Sequence, residues 1–302
     1  MSWDLRHRVK ERGRRLLARL NHWRYPSVYA GVLADREAGQ WIAEALRTRR
    51  SVLVGRLGSV EARLLGEARL GRFSRVTRLE AHRNAGIFPL DPAALQAVAS
   101  RLQSALEQVD LLARWDSPYQ AWLTAGISPM PERCSLRALE PWWQPDPWTE
   151  ALVGKRVLVI HPFTESIQAQ WRRRERLFPC SAVLPEFELQ VLTPPLTLAG
   201  ATAGFTTWSA ALDDLIARTQ ERDFDVALVG CGAYGLPLSA AIKAMGRPAL
   251  QLGGALQLLF GIRGRRWEVM PPFAALMNEH WVRPLPEETP MAANQVDGGC
   301  YW

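Results

Sequence analysis

Apolar residues in the second half of the chain gather in short, nearly uninterrupted runs, separated by longer stretches of helical period. Arg156-Val-Leu-Val-Ile-His161, Glu188–Leu192, Asp225-Val-Ala-Leu-Val-Gly230 and Pro248–Leu252 read as strands. Ser166–Phe178, Thr207–Glu221 and Leu236–Met245 read as helices. Strands that are apolar along their whole length, rather than at alternate positions, are those covered on both faces. Alternating with helices, they predict an α/β fold, a mostly parallel sheet with helices on both faces.

The first half is less regular. A helix over Asp35–Arg47 leads to Ser51-Val-Leu-Val-Gly-Arg56, a buried-strand pattern broken by Gly58 and Ser59, and Val60–Ala68 reads as helix. Asp91-Pro92 is a helix start, an N-cap acid followed by proline at the first helical position. Leu95, Val98, Leu102, Leu106, Val109 and Leu112 carry that helix forward at helical spacing. From Pro118 to Pro147 the chain is rich in Pro and Trp and reads as an irregular excursion joining two halves, and 283–302 reads as a surface coil. The expected organisation is an arm over 1–26, an N-terminal α/β half over 27–150 and a nucleotide-binding half over 151–302. The two halves can also form one continuous domain, 27–302.

Charge alters this picture at one end only. The 302 residues carry a formal net charge of +7, but eight of the 37 Lys and Arg lie in residues 1–24 against two of the 30 acids, leaving the body close to neutral. This distribution predicts no nucleic-acid partner. Leu5, Val9, Leu16, Leu20 and Trp23 share one helical face, so the arm is a basic amphipathic helix suited to an anionic membrane surface or to packing on the body. No apolar run approaches the ~20 residues of a membrane span. Four scattered cysteines without a CxxC argue against a zinc ribbon or a disulfide framework. Together these features predict a cytoplasmic protein, peripheral on the inner membrane face where the arm engages it.

Four constellations carry candidate chemistry. Gly230-Cys-Gly232-Ala-Tyr-Gly235 is a GxGxxG between a strand and a helix, where backbone N–H groups suit a phosphate. The strand after it ends in Leu250-Gln251-Leu252-Gly253, without the acid that holds a dinucleotide ribose, so an NAD(P)-dependent oxidoreductase is the weaker reading. His161 ends a neighbouring strand and is placed to bond a phosphate, a sugar hydroxyl or a metal. Arg56-Leu-Gly58-Ser59-Val60-Glu61 ends another, with a carboxylate in the first helical turn. Gly253-Gly254, followed by an apolar segment and Arg263-Gly264-Arg265-Arg266-Trp267, completes the set. P-loop, HExxH and GxSxG motifs do not occur.

Arg56-Leu-Gly58-Ser59-Val60-Glu61 resembles the Arg-aromatic-Gly-Asp-Gly-Glu element of bacterial GT-D-type glycosyltransferases, Rossmann-like, metal-assisted enzymes of glycan assembly that use nucleotide-sugar donors. Val157–Phe163, Asp225–Gly235, Gly253–Gln257, Phe260–Trp267 and Gly299–Trp302 extend the resemblance over roughly residues 50–302, to an uncharacterised branch of that family. The resemblance implies a transferase that moves a sugar from a nucleotide-sugar to a glycan or lipid-linked glycan acceptor in polysaccharide biosynthesis. It implies Gly58, Gly232, Tyr234, Gly235, Gly253 and Gly254 at the donor and Arg56 at its phosphates. Glu61 would act as metal ligand or acceptor-activating carboxylate, with His161 a second catalytic candidate. A divalent ion, Mn²⁺ or Mg²⁺, is the implied cofactor. Ser59 stands where the family carries the first acid of its carboxylate pair, which leaves a non-catalytic nucleotide-sugar-binding partner of a glycan-assembly complex as a further reading. Trp142, Trp143 and Trp148 are candidate faces for the acceptor.

Overall fold

The computed structural model describes residues 18–117 and 119–302; most of the basic arm lies outside the described residues. Seven strands form one all-parallel sheet in the order β3-β2-β1-β7-β6-β4-β5. They are β1 (Leu53–Arg56), β2 (Leu111–Arg114), β3 (Glu132–Ser135), β4 (Arg156–Ile160), β5 (Glu188–Leu192), β6 (Val226–Val229) and β7 (Ala249–Gln251). β4 and β6 are almost wholly buried, as their unbroken apolar runs require. The sheet runs continuously across residue 150, because β7 pairs with β1 (Val54 opposite Leu250) as well as with β6 (Ala227 opposite Ala249).

Each face of the sheet carries its own core. The helices Ser59–Arg69, Pro92–Leu106, Trp208–Gln220 and Gly235–Ala244 bury one apolar stripe against the first face. The helices Asp35–Arg47, Thr164–Trp171 and Ala255–Leu259 cover the second, together with Trp148 and Trp281. The Rossmann-like α/β architecture expected from the strand pattern is therefore present.

Four local expectations change. The helix begun at Asp91 ends at Leu106; Val109 stands in the turn that follows, and Leu112 belongs to β2. The Pro/Trp-rich excursion contains the edge strand β3 and three short 3-10 turns rather than irregular chain alone. The helix expected over Ser166–Phe178 spans only Thr164–Trp171, then tightens into a turn at Arg174–Arg176. The segment 283–302 is mostly coil, as expected, but it does not lie merely on the surface: Ala293, Val296 and Trp302 are buried in the second core.

Among the described residues no helix is long and apolar enough to cross a membrane. Residues 18–24 are helical, and Leu20 and Trp23 are exposed at 55% and 81% instead of packing on the body.

Candidate functional site

In an open parallel sheet, a crevice forms beyond the carboxyl ends of neighbouring strands whose connections leave toward opposite faces. β1 leads to the helix Ser59–Arg69 on the first face, whereas β7 leads to Ala255–Leu259 on the second. β4 and β6 diverge in the same way, into Thr164–Trp171 and Gly235–Ala244. The carboxyl ends of β1, β7, β6 and β4 therefore border one crevice, and Arg56, Gly253, Gly230 and His161 stand at them.

These ends are tightly apposed. A Cβ on Gly230 would lie 2.8 Å from His161 Cδ2 and 3.0 Å from the Gly253 carbonyl oxygen. Gly253 itself adopts φ +59, a left-handed conformation costly for other residues, and its missing Cβ leaves room for Arg56 Nη1, 3.1 Å from that point. Gln251, at the end of β7, turns its carboxamide across to β1 and accepts the Arg56 backbone N–H at 2.9 Å. The residue that argued against a ribose site on sequence grounds thus has a structural task, bracing β7 to β1.

The Arg56 guanidinium is the centre of the crevice. It lies 5.9 Å from the centroid of the Trp115 ring, and among the described residues it has neither a hydrogen bond nor an ion pair. Its charge nevertheless acts on three groups around it, Glu61, Glu140 and Tyr301. A half-buried cation with no hydrogen-bonding or ionic partner among the described residues is poised for an anion.

Glu61 sits in the first turn of its helix, and its carboxyl is turned back over the helix N-terminus; a Cβ on Gly58 would meet its Oε2 at 2.1 Å. Burial raises this carboxyl above the ordinary carboxylate value and the nearby Asp297 adds to the rise, while its own backbone N–H and Arg56 oppose it. The Glu61 carboxyl therefore lies over the N-terminus of its own helix, beside Gly58.

His161 is buried. Its Nδ1 accepts the Phe163 N–H at 3.0 Å, so in the neutral ring the proton resides on Nε2. Burial lowers it to about 3. At neutral pH the His161 ring is therefore uncharged, with Nε2–H as its donor.

Tyr234 does not join the crevice. Its ring stacks on Trp208 at 4.8 Å in the first core, and its hydroxyl is 2.8 Å from Thr197 Oγ1. Gly235 is packed against Gln251, whereas Gly232, at φ +59, faces open space and leaves the turn accessible. Burial pushes the Cys231 thiol in that turn up to about 12, so it carries no thiolate chemistry. Of the three tryptophans, Trp148 is fully buried and Trp142 stacks on Phe178 at 6.1 Å; Trp143 donates to Glu140.

Two acids that the sequence reading did not single out are built into this end of the sheet. Glu288 accepts the N–H groups of Glu165 and Ser166 at 2.8 and 3.2 Å, together with the Ser166 hydroxyl, and so caps the helix after β4. Glu140, on the turn after β3, receives the Trp143 Nε1–H at 2.7 Å. Burial raises it to about 7, against the pull of that bond and of Arg137 and Arg56. Neither acid lies in a strand-to-helix motif, and proximity to Pro141-Trp142-Trp143 was the only signal for Glu140.

The chain's last residues roof the crevice. Tyr301 and Trp267 pack over Gly254, where a Cβ would meet Trp267 at 2.9 Å and Tyr301 at 3.4 Å. Arg266 donates its backbone N–H to the Cys300 carbonyl, and its side chain lies 3.6 Å from Asp297. Trp302 donates from Nε1 to the Glu288 carbonyl at 3.1 Å and meets Phe163 edge-on.

Among the described residues no three His, Cys, Asp or Glu side chains gather to hold a metal ion. Glu61 is committed to its helix, and Asp91 caps the helix Pro92–Leu106. Among the described residues, the side chains at this end of the sheet do not form a cage for a resident divalent ion. Compared with models of protein families, with curated proteins and with solved structures, the chain finds no match in any of the three, so the chemistry of this crevice is read from its own geometry.

Proposed function

We propose that the chain is a Rossmann-like glycosyltransferase, which moves a sugar from a nucleotide-sugar donor to a glycan or lipid-linked glycan acceptor in bacterial polysaccharide assembly. The observation that carries this reading is the Arg56 guanidinium between the ends of β1 and β7, which among the described residues has a ring contact with Trp115 but no hydrogen bond or ion pair. Glycosyl transfer expels a nucleoside diphosphate, and its departure is favoured by fixed positive charge that needs no rearrangement as the bond breaks. Arg56 supplies that charge, beside the backbone of Gly253. The basic arm, with Leu20 and Trp23 exposed in its described part, suits work on lipid-linked acceptors at the inner face of a membrane.

The inward turn of Glu61, with Ser59 in place of an acid, favours one second reading, a nucleotide-sugar-binding partner without turnover. A dinucleotide oxidoreductase has less support, since Gln251 is engaged with β1 where a ribose-binding acid would stand. A thermal-shift panel of UDP-, GDP-, CMP- and dTDP-sugars and NAD(H), each with and without Mn²⁺, separates a nucleotide-sugar site from a dinucleotide site, and release of the nucleotide from the donor that binds separates turnover from binding alone. Saturation at 100 times the dissociation constant adds about 2.7 kcal/mol. Stabilisation by one nucleotide-sugar class supports the transferase reading; stabilisation by NAD(H) alone refutes it.

A further inference from the structure

The body of the protein is close to neutral as a whole, yet one surface segment is not. Residues 69–83 hold five arginines and a single acid, Glu80, which is paired with Arg63 at 2.7 Å. The helix Arg75–Ala85 within this segment is amphipathic in an inverted sense. Its inner face consists of Thr77, Ala81 and Ala85, whereas its largest aliphatic side chains, Val76 and Leu79, are exposed at 55% and 45%. At about 100° per residue, Arg75, Val76, Leu79 and Arg83 share one outer arc of about 100°, opposite those three. Leu70, 50% exposed, and Arg72 stand in the turn that leads into the helix. Arg72, Arg75 and Arg83 have no ion pair or side-chain hydrogen bond among the described residues.

Aliphatic side chains interleaved with unpaired arginines match an anionic bilayer, whose headgroup boundary takes up the former and attracts the latter. A second copy of this chain fits poorly, because a two-fold contact would set the patch against itself, arginine opposite arginine. The root of the basic arm lies in the same neighbourhood. The helix Pro26–Tyr29 packs on Gln120–Ala125, which packs on Ser59–Arg69, and Arg69 lies over the Trp122 ring at 5.5 Å. Ser59–Arg69 in turn packs on Arg75–Ala85. We propose that the outer face of the helix Arg75–Ala85, with Leu70 and Arg72, docks the folded body on an anionic lipid bilayer, as a second contact beside the arm. Asn84 of the same helix accepts the Asp297 N–H at 3.1 Å, so the docked helix is joined to the segment that roofs the crevice. Docking therefore holds the crevice at the membrane surface, which the arm by itself would only tether nearby. The surface stands whatever the crevice binds.

The test is co-sedimentation of the full chain with vesicles of phosphatidylcholine alone and of phosphatidylcholine with phosphatidylglycerol, at low and high salt. The expected result is partition onto the anionic vesicles that weakens with salt. Arg72→Gln/Arg75→Gln/Arg83→Gln should lower the partition coefficient on the order of 10²-fold, about fivefold for each charge. Val76→Ser/Leu79→Ser should lower it about tenfold or more, with no loss of charge. All five positions are exposed, so Tm should stay within about 2 °C. Unchanged partition in both variants overturns the proposal and leaves the arm as the contact. A loss in the arginine variant alone reduces the face to diffuse attraction without docking, and overturns it as well. So does a parent chain that ignores anionic vesicles. Self-association of the parent that Val76→Ser/Leu79→Ser abolishes, read by sedimentation velocity, assigns the face to a second copy instead. Nucleoside-diphosphate binding should be equal in the parent and both variants; its absence from all three refutes the transferase reading and leaves this surface standing.

Discussion

Glu288 ties the last segment of the chain to the helix that begins at the crevice, and its removal has a size that follows from the geometry. Its carboxylate accepts from the N–H groups of Glu165, Ser166 and Leu285 and from the Ser166 hydroxyl. Glu165 is exposed, so water can replace the carboxylate there; Ser166 is 2% exposed and has no such recourse. Hydrogen bonds to a charged group contribute about 1.5–3 kcal/mol each, and a carboxylate at a helix N-terminus about 0.3–1 kcal/mol more. Losing two such bonds at Ser166 together with the dipole contribution makes Glu288→Ala cost about 3–7 kcal/mol. Unfolding entropy near 2.1 cal/mol/K per residue gives about 0.6 kcal/mol/K for a chain of this length, so Tm should fall by roughly 5–11 °C. Glu288→Gln keeps the shape and one acceptor and should lose about half as much. Calorimetry gives the Tm, and hydrogen exchange should quicken over both 164–171 and 285–302. A Glu288→Ala variant melting within about 1 °C of the parent contradicts this account of how the segment is anchored.

Two further outcomes follow from the crevice. His161 is held neutral down to about 3, whereas in the unfolded chain it protonates near 6.5. The unfolded state therefore binds the extra proton first, and stability should fall by up to about 1.4 kcal/mol per pH unit as pH drops from about 6.5 toward 3. Denaturant melts of His161→Asn should show a shallower decline; parallel curves for both proteins argue against the buried neutral imidazole. Gly232 and Gly253 share φ +59, but a Cβ on Gly232 meets open space and one on Gly253 meets Arg56. Gly232→Ala and Gly253→Ala should each lose about 1–2 kcal/mol of stability, while only Gly253→Ala also weakens nucleoside-diphosphate binding. Equal binding losses would count against Arg56 as the anchoring group.

How much was legible in the sequence depends on what each element buries. β4 and β6 are apolar throughout because both faces are covered, and such runs announce themselves. β3 (Glu132-Arg-Cys-Ser) is an edge strand with Cys134 alone deeply buried, so it carries no apolar pattern. The helix Arg75–Ala85 hides its inner face in Thr77, Ala81 and Ala85, small residues that leave no periodic signal. Val109 and Leu112 continue the spacing of the preceding helix by coincidence; the chain turns between them, where Asp110 accepts the Leu53 N–H and locks β2 beside β1. At the site, Arg56, Glu61, His161, Gly253 and Gly254 were visible because strand-to-helix junctions mark themselves with glycine and charge. Tyr234 shares its motif's spacing but lies on the inner side of the turn, where Trp208 claims its ring. Glu140 and Glu288 come from turns distant in sequence and reach this end of the sheet only through the fold.

The central claim, that the crevice holds a diphosphate on Arg56, is tested most directly by titrating UDP, GDP and dTDP calorimetrically into the full chain and into Arg56→Met. Arg56 makes no hydrogen bond from its guanidinium among the described residues, so the substitution should leave Tm within about 2 °C. Its charge-assisted bonds to phosphate are worth about 1.5–3 kcal/mol each, so the affinity of the preferred nucleotide should fall at least tenfold. Equal affinity in the two proteins, or no binding of any nucleoside diphosphate to the parent chain, contradicts the claim.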